Sequence, residues 1–419
     1  MDIPKSTKRG IRVNWNLSTL CPIVLISFGV LLLSGTIPSQ NFANSFGVAA
    51  ANAAGDAVVV KEWKIPMLTV LTGPVAFAGL PAKWGAQYAV EEINAAGGIR
   101  GVPVRLTAYD TAMDNAKAVQ MMARVAPGSL VVLGPLDGRG STAIAQQLVD
   151  NKICALDSNT NTIMLNSSRP YSVAYMQDSG KGSIVGSKRW FQAEPWIKSV
   201  AMFYDPTDPA STSTVEMYEA GIKPTGVRVV RIEIGATELD FGPPVLKALN
   251  QKVDGFYSSY LTQNHVAIAR ELYNRGITKG TELLGGMAGD GPELFTSGKG
   301  YLENSYFWEN INPVDTSPRF QKLAAAFKKD FKGQLPNNPV IQFYDSVYAI
   351  KAAIEAKKIT GDPKKLMEER KAIDDFLYNS PELQGLQFKY RNVNGEKIAP
   401  YFLLQIKNDT FVKVGMLNE

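Results

Sequence analysis

The stretch Thr72–Gly101, TGPVAFAGLPAKWGAQYAVEEINAAGGIRG, continued by VPVRLTAYD to Asp110, decides the fold class. Ahead of it, Lys64–Leu71 (KIPMLTVL) is a short apolar run of strand type, and Thr72-Gly73-Pro74 is a turn signal. From Pro81 to Ala96, Trp84, Tyr88, Ala89 and Ile93 recur at helical spacing. Gly97-Gly98 ends that helix, because glycine takes the left-handed C-terminal conformation without a Cβ clash. Val102–Tyr109 is the next strand. Strand, crossover helix and strand in one short span form the unit of a parallel sheet.

Working outward, the unit repeats. Helix Ala116–Val125, strand Ser129–Leu133, helix Ser141–Asn151 and strand Ile153–Leu156 follow. A second series begins with helix Ile184–Gln192 and strand Ser199–Tyr204. It runs on through helix Thr214–Gly221, strand Val227–Ile234, helix Pro244–Gln251, strand Gly255–Tyr260, helix Gln263–Arg275 and strand Glu282–Gly285. After Asn310 long helices dominate: Pro318–Lys332, Val340–Lys357 and Pro363–Tyr378. Short strands close the chain at Leu386–Tyr390, Tyr401–Ile406 and Phe411–Val414. The pattern predicts two α/β lobes of similar size, each an open sheet with helices on both faces.

Composition narrows the function classes. The chain has 419 residues, 45% hydrophobic and 20% charged, which is ordinary for a globular protein. Its 2 cysteines make no disulfide scaffold, and its 1 histidine makes no multi-histidine metal centre. The net charge of +5 is too small over this length for a nucleic-acid footprint. Much of the basic excess sits at the start, where Lys5, Lys8, Arg9 and Arg12 face only Asp2. No charge follows from Val13 to Ala53. The apolar run Leu20–Leu33 and the small-residue cluster Ala49–Ala54 have the plan of a secretory signal over residues 1–53. The alternative is an uncleaved anchor, since Leu20–Ile37 is just long enough to span a bilayer. Both readings export the remainder. Cleavage would leave Cys154 as the one thiol, in an apolar strand and without a disulfide partner.

Gly180-x-Gly182-x3-Gly186 fits neither dinucleotide nor P-loop spacing and reads as a hinge and helix start. His265, one turn into a helix, reads as a surface or capping residue. Without a Ser/His/Asp arrangement or metal motif, catalysis is not expected; neither is a metal nor a cofactor.

The quoted stretch resembles the opening of the periplasmic leucine/isoleucine/valine-binding protein family, the type I substrate-binding proteins of ABC transporters. The marks are strand–TGP, a Gly-bearing loop, a helix ending EEINAAGGI-x-G, and a strand ending Tyr-Asp. Further matches are Leu133-Gly134-Pro135, Ala155–Thr162 (ALDSNTNT), Val253–Tyr260 (VDGFYSSY), Arg270–Ile277 (RELYNRGI) and Val340–Ile354 (VIQFYDSVYAIKAAI). The resemblance implies an α/β, two-lobed type I periplasmic-binding-protein fold, each lobe an open, mainly parallel sheet flanked by helices. The lobes would be 61–178 plus 310–398 and 179–309 plus 399–419, joined by a three-strand hinge. In open α/β sheets, ligands sit beyond the carboxyl ends of the strands.

The same resemblance implies the site. The segment after the Gly-Pro match would hold a ligand carboxylate through the Gly138 N–H and the Arg139 guanidinium. Ser158 and Thr160 match positions where a backbone group and a hydroxyl meet the ligand head group. Phe77 would be an aromatic wall, Tyr260 a second ring, and Asp290 the acid that binds an α-ammonium. Two departures argue against an α-amino acid. A usual hydroxyl falls at Gly138, and the family's Tyr-Gly pair is replaced within Tyr204–Thr214 (YDPTDPASTST). The expected protein is a periplasmic monomer that captures an amino acid, amide or small carboxylate and delivers it to an ABC permease, without binding nucleic acid. A membrane-anchored sensor ectodomain of the same fold is the alternative.

Overall fold

The computed structural model describes residues 57–417, apart from 74, 159–164, 236–237, 259–261, 279–281 and 286–289. A first sheet has strand order β2-β1-β3-β4-β5. Its strands are β1 (Trp63–Thr69), β2 (Val104–Asp110), β3 (Val131–Leu133), β4 (Cys154–Asp157) and β5 (Ser172–Ala174), all pairing in parallel. Helices α1 (Ala76–Ala95), α2 (Asn115–Val125) and α3 (Gly138–Asn151) connect them.

α4 (Ser179–Ala193) leads into a second sheet. There β6 (Ser199–Tyr204), β7 (Arg228–Glu233), β8 (Gly255–Ser258), β9 (Glu282–Gly285) and β10 (Tyr306–Glu309) are parallel. Their connecting helices are α5 (Pro209–Ile222), α6 (Gly242–Asn250) and α7 (Thr262–Asn274). The late helices α8 (Pro318–Asp330), α9 (Asn338–Ala356) and α10 (Leu366–Tyr378) return to the first lobe. β11 (Leu383–Gln384), β12 (Lys389–Val393) and β13 (Glu396–Ile398) form a small antiparallel sheet. β14 (Tyr401–Lys407) and β15 (Thr410–Leu417) then complete the second sheet as antiparallel additions beside β10. This is the two-lobed α/β fold that the sequence leads one to expect.

α1 begins at Ala76, five residues before the predicted Pro81, and carries that proline inside it. Its inner face is Ala78, Gly79, Ala82, Gly85, Ala86 and Ala89, all buried. Small residues let α1 lie directly on α9. A Cβ added at Gly85 would stand 2.1 Å from the Val340 carbonyl oxygen, so even alanine there would force the two helices apart. The glycines of GKGSIVG serve a similar end on α4. A Cβ at Gly182 would meet the Trp308 ring at 2.4 Å, and one at Gly186 would meet Trp308 Cβ at 2.8 Å. Trp308 is fully buried, and its indole N–H donates to the Tyr257 hydroxyl at 3.0 Å.

Three chain crossings join the lobes, and one buried side chain binds them together. Gln177 Nε2 donates to the carbonyls of Asn310 (3.0 Å) and Pro400 (2.8 Å). Asn310 Nδ2 donates back to the Gln177 carbonyl at 3.1 Å. Gln342 on α9 donates to Gln177 Oε1 at 3.3 Å and accepts from Lys397 Nζ at 2.7 Å. Lys397 also stands 3.7 Å from Asp345 and 4.2 Å from the centre of the Tyr390 ring. Burial draws the Lys397 ammonium down to about 8 against the pull of Asp345, and burial likewise raises the Asp345 carboxyl. Cys154 is free and buried, with its thiol pushed well up by burial.

Candidate functional site

The carboxyl ends of β3, β4 and β6 supply one corner of the cleft between the lobes. After β3 the chain turns at Gly134, whose N–H donates to Leu156 O at 2.7 Å. Asp137 then caps α3, accepting from the Gly140 N–H at 2.7 Å. Burial raises the Asp137 carboxyl, with the Gly140 and Arg139 N–H groups opposing. The helix start therefore already holds a carboxylate of its own. Ser141 Oγ donates to Asp137 O at 3.0 Å and accepts from Ser158 N at 3.1 Å. That pair of bonds brings the α3 turn and the end of β4 together, so Gly138, Arg139 and Ser158 share one corner.

Arg139 does not wait there unpaired. Its guanidinium crosses to the second lobe, 3.4 Å from Asp205 Oδ2 and 3.5 Å from Thr207 Oγ1. Asp205 follows β6 directly and accepts from both the N–H (2.8 Å) and the hydroxyl (2.7 Å) of Thr207. It is mostly buried, so its charge is a fixed target for the arginine. Residues 66 positions apart make this contact, which no local pattern in the sequence signals. The turn DPTD is its only trace.

Phe77 lies in the first turn of α1, half-buried against the core of the first lobe. Asp290 stands elsewhere, in the loop after β9. Its Oδ2 accepts from the backbone N–H of Asn338, the first residue of α9, at 2.6 Å. Burial pushes its carboxyl up to about 6. Beside it, Glu309 at the end of β10 accepts from Asn338 Nδ2 and from Asn310 N–H, both at 2.7 Å. Burial, and then the Asp290 charge, hold Glu309 well above the ordinary range. A cavity of about 280 Å3 adjoins Asp290 and is lined also by Phe295, Lys332, Asn337, Asp409 and Phe411. Among the described residues no hydrogen bond or ion pair joins Phe77 or Asp290 to the Arg139 corner. Thr160 and Tyr260 lie outside the described residues.

The sequence reading of His265 needs correction. It is fully buried, not a surface or capping residue. Its Nδ1 shares a 2.9 Å hydrogen bond with Ser258 Oγ at the end of β8, and burial lowers its basicity to about 3, which keeps it neutral. Facing inward on α7 against Phe307, it fills core space.

A model of the periplasmic binding proteins matches residues 62–410. The chain is 26% identical over 333 residues to the leucine-, isoleucine-, valine-, threonine- and alanine-binding protein of Pseudomonas aeruginosa, spanning 78% of this chain and 85% of that one. In three dimensions it is similar to a leucine-binding protein from Thermotoga maritima, with a TM-score of 0.73 and 21% identity over 85% of this chain and 99% of that one. It is also similar to a solute-binding protein of an ABC transporter from Rhodopseudomonas palustris in complex with 3,4-dihydroxybenzoic acid. That TM-score is 0.72 at 16% identity, over 86% of this chain and 98% of that one. At such identities the structural likeness establishes the fold. With a family model spanning most of its length, the chain belongs to the periplasmic binding protein family, a family of binding proteins and not of enzymes.

Proposed function

We propose that this chain is an exported solute-binding protein that captures a small polar solute between its lobes and delivers it to an ABC importer. The solute is an amino acid, an amide or a small carboxylate. The chain acts as a periplasmic monomer carried there by its N-terminal segment, with lobes 61–178 plus 310–398 and 179–309 plus 399–419. One observation carries the reading: the strand ends of both lobes face each other across a cleft, with Gly138, Arg139 and Ser158 on one side and Asp205 on the other. Such a cleft closes on its solute by hinge rotation.

Within it, Ser158 and Thr160 hold the head group, Phe77 and Tyr260 give aromatic walls, and Asp290 gives an acid at the far end. The range of relatives supports keeping the solute class broad. One is named for aliphatic amino acids and another was solved with a dihydroxybenzoate. The filled N-terminus of α3 favours solutes that do not need that helix end for a carboxylate.

Native mass spectrometry of the purified protein, followed by a thermal-shift screen of amino acids, amides and aromatic acids, tests the reading. A true solute at a hundredfold excess over its Kd stabilises the protein by about 2.7 kcal/mol. Turnover of a bound solute, or no shift across the whole panel, would refute it.

A further inference from the structure

We propose that Asp290 and Glu309 hold one proton between them when the lobes are together, and that it leaves when they part, so that closure takes up a proton. The pair is built around Asn338. The backbone N–H of Asn338 donates to Asp290 Oδ2, and its side-chain amide donates to Glu309 Oε2. The second oxygen of each carboxyl, Asp290 Oδ1 and Glu309 Oε1, is buried without a hydrogen-bond partner among the described residues. Glu309 and Asn338 are fully buried and Asp290 is 7% exposed.

Among the described residues no lysine or arginine is bonded to either carboxyl; the groups that act on them are each other and neutral amides. Two neighbouring buried anions are expensive, and one shared proton is the least neutralisation that relieves them. The charged groups on neighbouring elements do not replace it. Lys332 and Asp409 line the cavity beside Asp290, Glu293 lies close to Gly291, and His265 on α7 is neutral. None of them bonds to the pair. A metal ion is the weaker alternative, because no cluster of three or more His, Cys, Asp or Glu side chains is present among the described residues.

The coupling to movement follows from where the groups sit. Asp290 is carried by the second lobe and Asn338 by the first. Parting the lobes takes away the Asn338 N–H, which by itself favours the charged form, and admits water, whose larger effect returns Asp290 to an ordinary carboxylate. The closed-state acidity constant is the raised one, for Asp290 and Glu309 alike, so closure is strongest in acid. It weakens by up to roughly tenfold per pH unit as pH rises to the closed-state value. This consequence rests on the hinge-closing reading above; the shared proton does not.

The test uses the full chain without solute. Infrared spectra recorded from about pH 4.5 to about pH 8 should show, beyond the signal that Asp178 and Asp374 contribute equally in all variants, a carbonyl stretch of a protonated carboxylic acid that is lost in Glu309→Gln and altered in Asp290→Asn. Small-angle scattering over the same range should show expansion with rising pH in the wild type and not in Asp290→Asn, whose amide stands in for the protonated acid. If Glu309→Gln does not fold, Asp290→Asn carries both measurements. The proposal is overturned if the band is absent, if both substitutions leave it intact, or if scattering does not change with pH. It is also overturned if calcium abolishes the band and a chelator restores it, for then a cation holds the pair. Failure of the solute screen would refute the transport reading and leave these solute-free measurements standing.

Discussion

Replacing Arg139 with glutamine separates two roles that the sequence and the structure give this side chain. In the structure it links the lobes by a 3.4 Å contact to Asp205, with side-chain exposures of 30% and 9%. A half-buried ion pair at that distance has a direct attraction of about 5 kcal/mol at an effective dielectric of 20. Desolvation and side-chain ordering offset most of this, leaving a net of about 1 kcal/mol. That is roughly a fivefold shift of the closing equilibrium, and a solute that binds the closed form would lose affinity by about the same factor. If Arg139 instead held a solute carboxylate, its loss would cost about 2–5 kcal/mol, a thirtyfold loss or more. Calorimetry with the solute found by screening, applied to Arg139→Gln, Asp205→Asn and the double variant, measures the coupling directly. The expected result is a fivefold loss in each single variant and no further loss in the double. Unchanged affinity in Arg139→Gln, or fully additive losses, would refute the latch.

Three further outcomes are expected. Lys397→Met should destabilise the protein by about 3–5 kcal/mol, because it strands the Asp345 carboxylate in the core; combining it with Asp345→Asn, which removes the charge and keeps an acceptor for the Leu386 N–H, should recover much of the loss in chemical denaturation, and a double variant no better than the single would contradict this. In a Cys21→Ser background, Cys154 should resist thiol reagents under native conditions and react at once in denaturant, whereas rapid native labelling would show the strand to be open. Thr160→Ala should weaken solute binding and leave the thermal midpoint of the solute-free protein unchanged; equal affinity in calorimetry would remove Thr160 from the site.

Much of the architecture is legible from periodicity, because buried parallel strands are continuous apolar runs and their helices keep one apolar stripe. SVAMFY is an example: β6 spans Ser199–Tyr204 as read. β5 (SVA) and β10 (YFWE) escape, although β3, β4, β8 and β9 are as short and are legible from their place between helical patterns. The start of α1 escapes because Pro81 reads as a first-turn residue, while the true first turn lies directly on the Val70 backbone, which the missing Cβ of Gly79 permits. His265 escapes because one polar residue on a helix reveals nothing of the Ser258 hydroxyl that receives it. In the cleft, the loops bearing Gly138 and Ser158 are legible from where strands end. The contacts that close it are not: Arg139 with Asp205, and Asp290 with Asn338, join residues that meet only once both lobes exist.

The amide of Gln177 touches all three crossings at one point, bonding the carbonyls of Asn310 and Pro400 while its own chain forms the third. A joint stapled at a single point can turn, but its strands cannot slide past one another. The relative motion of the lobes is thereby reduced to rotation about that point, read out as an angle. Any membrane partner that inspects the outer surface then needs to measure only that angle to learn whether the cleft is occupied.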